Sequence, residues 1–98
     1  PIAQEVSADG NKLIIRFTHF GAGLTTSDGE EPAEFAIAGA DKKFVWAKAL
    51  IEGDKIVVWS DQVAQPLYVR YAWADNPVNP NLFNKEGLPA SPFQLSIR

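Results

Sequence analysis

Apolar and polar residues alternate with a period of two along most of the chain, and no helical period persists over ten or more residues. Alternation puts successive side chains on opposite faces of a strand, so these runs predict half-buried β-strands. From Leu13 to Phe20, Leu13, Ile15 and Phe17 share one face while Ile14, Arg16 and Thr18 share the other. Glu34 to Ala38 turns Phe35 and Ile37 inward. The clearest hairpin joins Phe44–Ile51 to Lys55–Ser60 through Glu52-Gly53-Asp54, with Val45, Ala47, Ala49 and Ile51 on one face. In its second arm Ile56 and Val58 oppose Val57 and Trp59. Leu67, Val69, Tyr71 and Trp73 alternate with Tyr68, Arg70 and Ala72, which predicts a central strand with Trp73 at least partly buried. Phe93, Leu95 and Ile97 alternate with Gln94, Ser96 and Arg98 as a closing strand.

A weaker pattern at Ala3–Ser7, set off by the Asp9-Gly10-Asn11 turn signal, adds a short first strand. The sum is all-β: an antiparallel β-sandwich of about seven short strands, immunoglobulin-like, with a jelly roll as the alternative. Residues 21–32 read as a loop by composition, tethered at Leu24, and Gln62–Pro66 as a short connection.

The stretch after Trp73 breaks the pattern. About twenty residues hold neither period, and they carry Pro77, Pro80, Pro89 and Pro92. Loops longer than roughly 12–15 residues are uncommon in compact domains and are usually functional or disordered. Leu82, Phe83, Leu88 and Phe93 are apolar anchors that a solvated linker would not carry, so the reading is an ordered loop held against something. Arg70 lies between two aromatics in the preceding strand, and a buried guanidinium needs a carboxylate or several carbonyls. Asp75 and Glu86 are the nearby candidates, so Arg70 is expected to organise the loop.

Composition narrows the function classes. The 98 residues suit one domain, 1–98, with 46% hydrophobic and 21% charged residues. Such a chain buries enough surface for a core without staples. A net charge of −3 with no basic run argues against nucleic acid, which needs a clustered positive face. No apolar run approaches the roughly 20 residues of a membrane-spanning helix. The chain has no cysteine, which rules out disulfides and thiolate metal sites. It also starts at Pro1 and has no methionine, so it is expected to be an excised piece of a longer protein.

Catalytic chemistry finds little to work with. Nucleophilic hydrolysis needs a serine against a histidine base, and the sole histidine, His19, has Arg16 three residues before it. None of Ser7, Ser27, Ser60, Ser91 and Ser96 stands in hydrolase wording, and His19 reads as a strand-end surface residue. Asp28, Glu30 and Glu31 sit among Gly, Ser and Thr as solvated loop charge. Gly21-Ala22-Gly23 lacks the third glycine, helix and lysine of a phosphate loop and reads as a strand-ending turn with positive φ. Asp75, Asn76, Asn79, Asn81, Asn84 and Glu86 crowd oxygens into the long loop, but their spacing fits no EF-hand, and turn formation beside proline explains the asparagines as well. No metal or cofactor is expected. With three tryptophans, two tyrosines and six phenylalanines, most rings must fill the core. Trp46, beside Lys48 and opposite the Val45–Ile51 face, is the ring expected to be exposed and able to stack on a sugar.

The wording VRYAWADNP, NLFNKEGLPASPF and the Gly21-Ala22-Gly23-Leu24 turn resembles the C-terminal end of sialate O-acetylesterases. These are carbohydrate esterases whose catalytic half is an SGNH-type hydrolase domain. The resemblance runs from about Leu13 to Phe93 and implies a non-catalytic C-terminal accessory β-sandwich. The serine nucleophile would then lie earlier in the parent chain, and the implied location is extracytoplasmic. It also implies two partners, the catalytic domain of the same parent and the parent's acetylated glycan substrate. On that footing the Trp73–Phe93 loop is expected to pack on the catalytic half, with Leu82, Phe83, Leu88 and Phe93 giving apolar contacts. Asn76, Asn81 and Asn84 would hold the loop's shape. Direct glycan contact by the domain itself is the alternative.

Overall fold

A computed structural model describes residues 1–73 and 79–97 of the chain. Among them there is no helix. Ten strands form: β1 (Ile2–Asp9), β2 (Lys12–Thr18), β3 (Leu24–Thr26), β4 (Phe35–Ala38), β5 (Val45–Trp46), β6 (Lys48–Glu52), β7 (Lys55–Trp59), β8 (Tyr68–Tyr71), β9 (Leu82–Asn84) and β10 (Phe93–Ser96). One sheet has the order β1-β2-β7-β6, the facing sheet β10-β8-β4-β5, and β3 pairs with β9 in a two-stranded ribbon. All pairings are antiparallel. The first two orders are the A-B-E-D and G-F-C arrangement of an immunoglobulin-type sandwich, with β5 added beside β4. The jelly-roll alternative is set aside.

The core follows from the alternation. Leu13, Ile15, Phe17, Ile56 and Val58 from the first sheet meet Phe35, Ile37, Val69 and Tyr71 from the second, all buried. Phe93 adds an edge-on contact to Phe17 at 5.9 Å between ring centres, and Phe35 lies 4.8 Å from Tyr71. Leu24 and Leu82, one from each strand of the ribbon, close the same core.

Three departures from strict alternation have local causes. The first strand reads weakly because its register shifts between Ala3 and Glu5, so Ala3 and Val6, three apart, both pack inward. The hairpin arm expected from Phe44 to Ile51 is divided between the sheets. The Ala47 N–H donates to the Phe35 carbonyl at 2.9 Å, while from Lys48 onward the chain pairs with β7. Alternation survives the crossing because both sheets face one core, and Val45, Ala47, Ala49 and Ile51 stay inward. The third departure is Ala72, whose φ of 51° ends β8 and turns the chain. Trp73 therefore does not continue the Val69–Tyr71 face, on which alternation led one to expect it, and is 53% exposed.

The long stretch after β8 also contains structure that its irregular pattern hid. Leu82–Asn84 pairs with Leu24–Thr26, and a further bridge joins Phe83 to Pro89. Both partners lie in segments read as loops, because three-residue strands are too short to show a period. Tyr71 connects this ribbon to the sandwich: the Leu82 N–H donates to its Oη at 3.0 Å. Burial pushes the Tyr71 phenol above its ordinary value of 10.0, with a smaller push from the Glu34 carboxylate and an opposing pull from the Leu82 bond.

Replacing Tyr71 with Phe leaves the buried Leu82 N–H without its acceptor, which should cost about 1–3 kcal/mol. Each kcal/mol corresponds to roughly 4–8 °C of Tm in a domain this small. Since the folded phenol titrates above the unfolded one, the wild type's Tyr71-linked stability is complete below pH 10.0 and is lost as pH rises through the folded value. Tyr71→Phe should lack that alkaline limb. Urea unfolding of both proteins on either side of this pH checks the two statements together.

Candidate functional site

Outward-facing residues of the second sheet form a continuous cross-strand row. Gln94 pairs with Arg70, Arg70 with Ala36, and Ala36 with Trp46, so four adjacent strands each contribute one residue. Ala36 is the small member, flanked by large side chains on β5 and β8. The result is an open depression of about 300 Å³ lined by Glu34, Ala36, Phe44, Val45, Trp46, Arg70 and Trp73. Trp46 is 71% exposed, as its position opposite the inward face led one to expect.

Arg70 is fixed within this surface. Its guanidinium carbon lies 3.7 Å from the Phe44 ring centre and 5.9 Å from that of Trp73, and Nε donates to Gln94 Oε1 at 2.8 Å. Cation–π stacking suits a guanidinium whose apolar plates cover a ring while its edge stays polar. The expected pairing with Glu86 does not occur, because β8 alternation points Arg70 outward, away from the ribbon. Asp75, the other expected partner, lies outside the described residues, as does Asn76.

Two non-glycine residues with positive φ border the depression at one end: Glu34 at 69° and Ala72 at 51°. They are tied to each other, the Ala72 N–H donating to the Glu34 carbonyl at 3.0 Å. Left-handed backbone in an L-residue costs roughly 1–2 kcal/mol. Here it is what places Trp73 on the outer face.

The other residues expected in a site have different roles. Leu82 is fully buried and so not available to a partner, while Phe93 is half-buried with its ring packed against Phe17 and Tyr71. Asn81 and Asn84 do hold the loop's shape, and both are buried. Asn81 Oδ1 accepts from the Ala33 N–H at 2.8 Å, while Nδ2 donates to Asp28 Oδ1 and the Glu31 carbonyl, both at 3.0 Å. Asn84 Oδ1 accepts from the N–H groups of Glu86 and Leu88 at 3.1 and 2.9 Å. Glu86 reaches across to the glycine turn, where both of its oxygens accept the Ala22 N–H at 3.1 Å. A Cβ at Gly21, whose φ is 57°, would fall on that carboxylate, so this turn needs glycine for space as well as for backbone conformation. Phe83 is half-buried, and Leu88, at 61% exposure, is the apolar anchor left facing solvent.

Asp28, read as solvated loop charge, is exposed but engaged: it accepts from Asn79 Nδ2 at 3.1 Å as well as from Asn81. The Glu30 N–H and then these two amides hold its carboxyl below the ordinary 3.8. His19 is exposed at the end of β2, with φ of 55°. Among the described residues no three His, Asp or Glu side chains gather as a metal site.

No protein-family model matches the chain, and no curated protein does. Among solved structures the chain superposes on part of a novel carbohydrate acetylesterase from Xanthomonas citri, with a TM-score of 0.93. Sequence identity is 42% and the match covers 100% of this chain. The chain spans 22% of that esterase's length. The similarity therefore extends past fold to sequence, and it is a similarity to a domain-sized portion of an esterase.

Removing the Asn81 amide strands the Ala33 N–H and takes one of three donors from Asp28, and Asn81→Ala should cost about 2 kcal/mol by chemical denaturation. The depressed Asp28 pKa means that its contribution is present above 3.8 and disappears as pH falls through the lower folded value. Asp28→Asn should flatten that acid limb when urea midpoints are followed between roughly pH 5 and pH 2.

Proposed function

We propose that this chain is the non-catalytic accessory domain of a carbohydrate O-acetylesterase, packing on an SGNH-type catalytic domain of the same parent chain and steadying its active-site side. The observation that supports it is the match at 42% identity over the whole chain to 22% of a carbohydrate acetylesterase. The residues agree with a supporting role, since His19 is exposed at a strand end and no serine stands in hydrolase wording. The serine nucleophile belongs to the remainder of the parent. Sialic acids are the acetylated sugars proposed as substrate, and an extracytoplasmic compartment as the location, both from the wording of the Arg70–Phe93 region.

The contact surface proposed is narrower than the whole Trp73–Phe93 stretch, because Leu82 is committed to the core and Phe93 keeps only part of its ring outside it. Leu88 is the anchor. It projects from a turn held by the Asn84 side chain, by the Asn84 N–H donating to the Leu88 carbonyl at 2.9 Å, and by the Phe83–Pro89 bridge. A side chain presented on an ordered turn loses little conformational freedom when it docks, which favours association. Exposed Lys85 and Glu86 beside it supply a polar rim of the kind that surrounds apolar anchors in interfaces.

The test is to produce the catalytic half separately and titrate it with this domain. Binding should raise the catalytic half's Tm or its aryl-acetate hydrolysis. Leu88→Asp should weaken association about tenfold or more while shifting this domain's own stability by no more than about 0.5 kcal/mol. If the halves do not associate, or if Leu88→Asp associates like the wild type, the proposal fails.

A further inference from the structure

The outer face of the β10-β8-β4-β5 sheet is independent of the Leu88 turn, and it has the form of a ligand site. Single exposed apolar residues are ordinary on any protein surface. Here Trp46 and Trp73, both more than half exposed, border the same depression. The second of them reaches it only because Ala72 adopts a left-handed backbone bonded to an equally left-handed Glu34. Strand alternation alone would have sent that ring into the core. A conformation that L-residues rarely adopt, kept where β4 begins and β8 ends so that an indole is exposed, points to use of the indole.

The depression's dimensions and polarity suggest what occupies it. Ala36 forms the floor, and the β5 and β8 strands on either side stand two interstrand spacings apart, about 9.5 Å. The open space between the side chains is about 300 Å³, room for one sugar ring rather than for a large ligand. Around that space stand the planar polar groups of Arg70 and Glu34, with Gln94 holding the Arg70 Nε at 2.8 Å. Indole faces offer an electron-rich surface to polarised C–H groups, while guanidinium and carboxylate edges match vicinal hydroxyls. We propose that this face binds a pyranose ring of a carbohydrate chain, with C–H faces against Trp46 and Trp73 and hydroxyls toward Arg70 and Glu34. The site is read from the sheet face; the choice of carbohydrate as its ligand rests also on the esterase reading.

The chain, labelled with ¹⁵N at its tryptophans, is titrated with xylohexaose, cellohexaose, mannohexaose and sialyllactose while the three indole N–H resonances are followed. At least one of these should shift the Trp46 and Trp73 signals saturably and leave Trp59, on the opposite sheet, in place. Trp46→Ala and Trp73→Ala should each weaken that binding by about tenfold, a loss on the scale of one aromatic contact. Trp59→Phe should bind like the wild type. Both alanine variants alter exposed side chains, and an unchanged Tm confirms that they fold. The proposal is overturned if no probe gives a saturable shift, if only Trp59 responds, or if the alanine variants bind normally. It is also overturned if Trp46→Ala abolishes association with the catalytic half, since the face would then be the interface, and the accessory-domain reading would stand. Failure of the Leu88 experiment with sugar binding intact removes only the docking contact.

Discussion

The Tyr71 side chain joins the parts of this domain. Its ring sits in the middle of the core, 4.8 Å from Phe35 and 5.9 Å from Phe93, on the central strand of the second sheet. Its hydroxyl accepts the N–H of Leu82 and so fixes the first residue of β9. Everything carried by the β3–β9 ribbon hangs from that bond and from the buried Leu24 and Leu82 side chains. A phenol suits the position because it fills apolar volume and still satisfies a buried donor.

Buried amides then extend the order outward. Asn81 engages both its oxygen and its nitrogen, linking the loop before β4 to the strand that Tyr71 holds. Asn84 gathers the following turn, and Glu86 closes it on the glycine turn that follows β2. Groups buried this way are worth most when fully satisfied, and no buried side-chain nitrogen or oxygen among the described residues lacks a partner. Among the described residues that follow Asn79, Leu88 is the large apolar side chain left facing solvent, because its neighbours are committed.

The outer sheet face works on a different principle. The core dictates which side of each strand turns inward, and the residues left outside are free to serve recognition. Trp46 obtains its exposure from parity alone. Trp73 obtains it from a backbone turn that overrides parity. Phe44 and Gln94 then hold Arg70 between them.

The strands with clear alternation were legible from residue order, because a two-residue period with one apolar face has only one way to bury itself. Leu13, Ile15, Phe17, Phe35, Ile37, Val69 and Tyr71 could be assigned to the core in this way, and the exposure of Trp46 followed from the same rule, whereas Lys55–Ser60 is apolar on both faces and its inward side was left to the fold. The functional region was less legible. Leu82 looked like an interface anchor, because an apolar residue in an irregular stretch does not reveal whether its own core or a partner covers it. The pairing of Leu24–Thr26 with Leu82–Asn84 joins segments far apart in the chain and too short for a period, so only the folded structure could bring them together. The fate of Arg70 was decided there too, by which strand lies beside it. The chain by itself determined a sandwich with one apolar side to each clearly alternating strand, since burial of alternating residues is a local property. Tertiary structure decided the division of Val45–Glu52 between two sheets, the left-handed turn at Ala72 and the depression between two tryptophans. Those depend on neighbours supplied by distant parts of the chain.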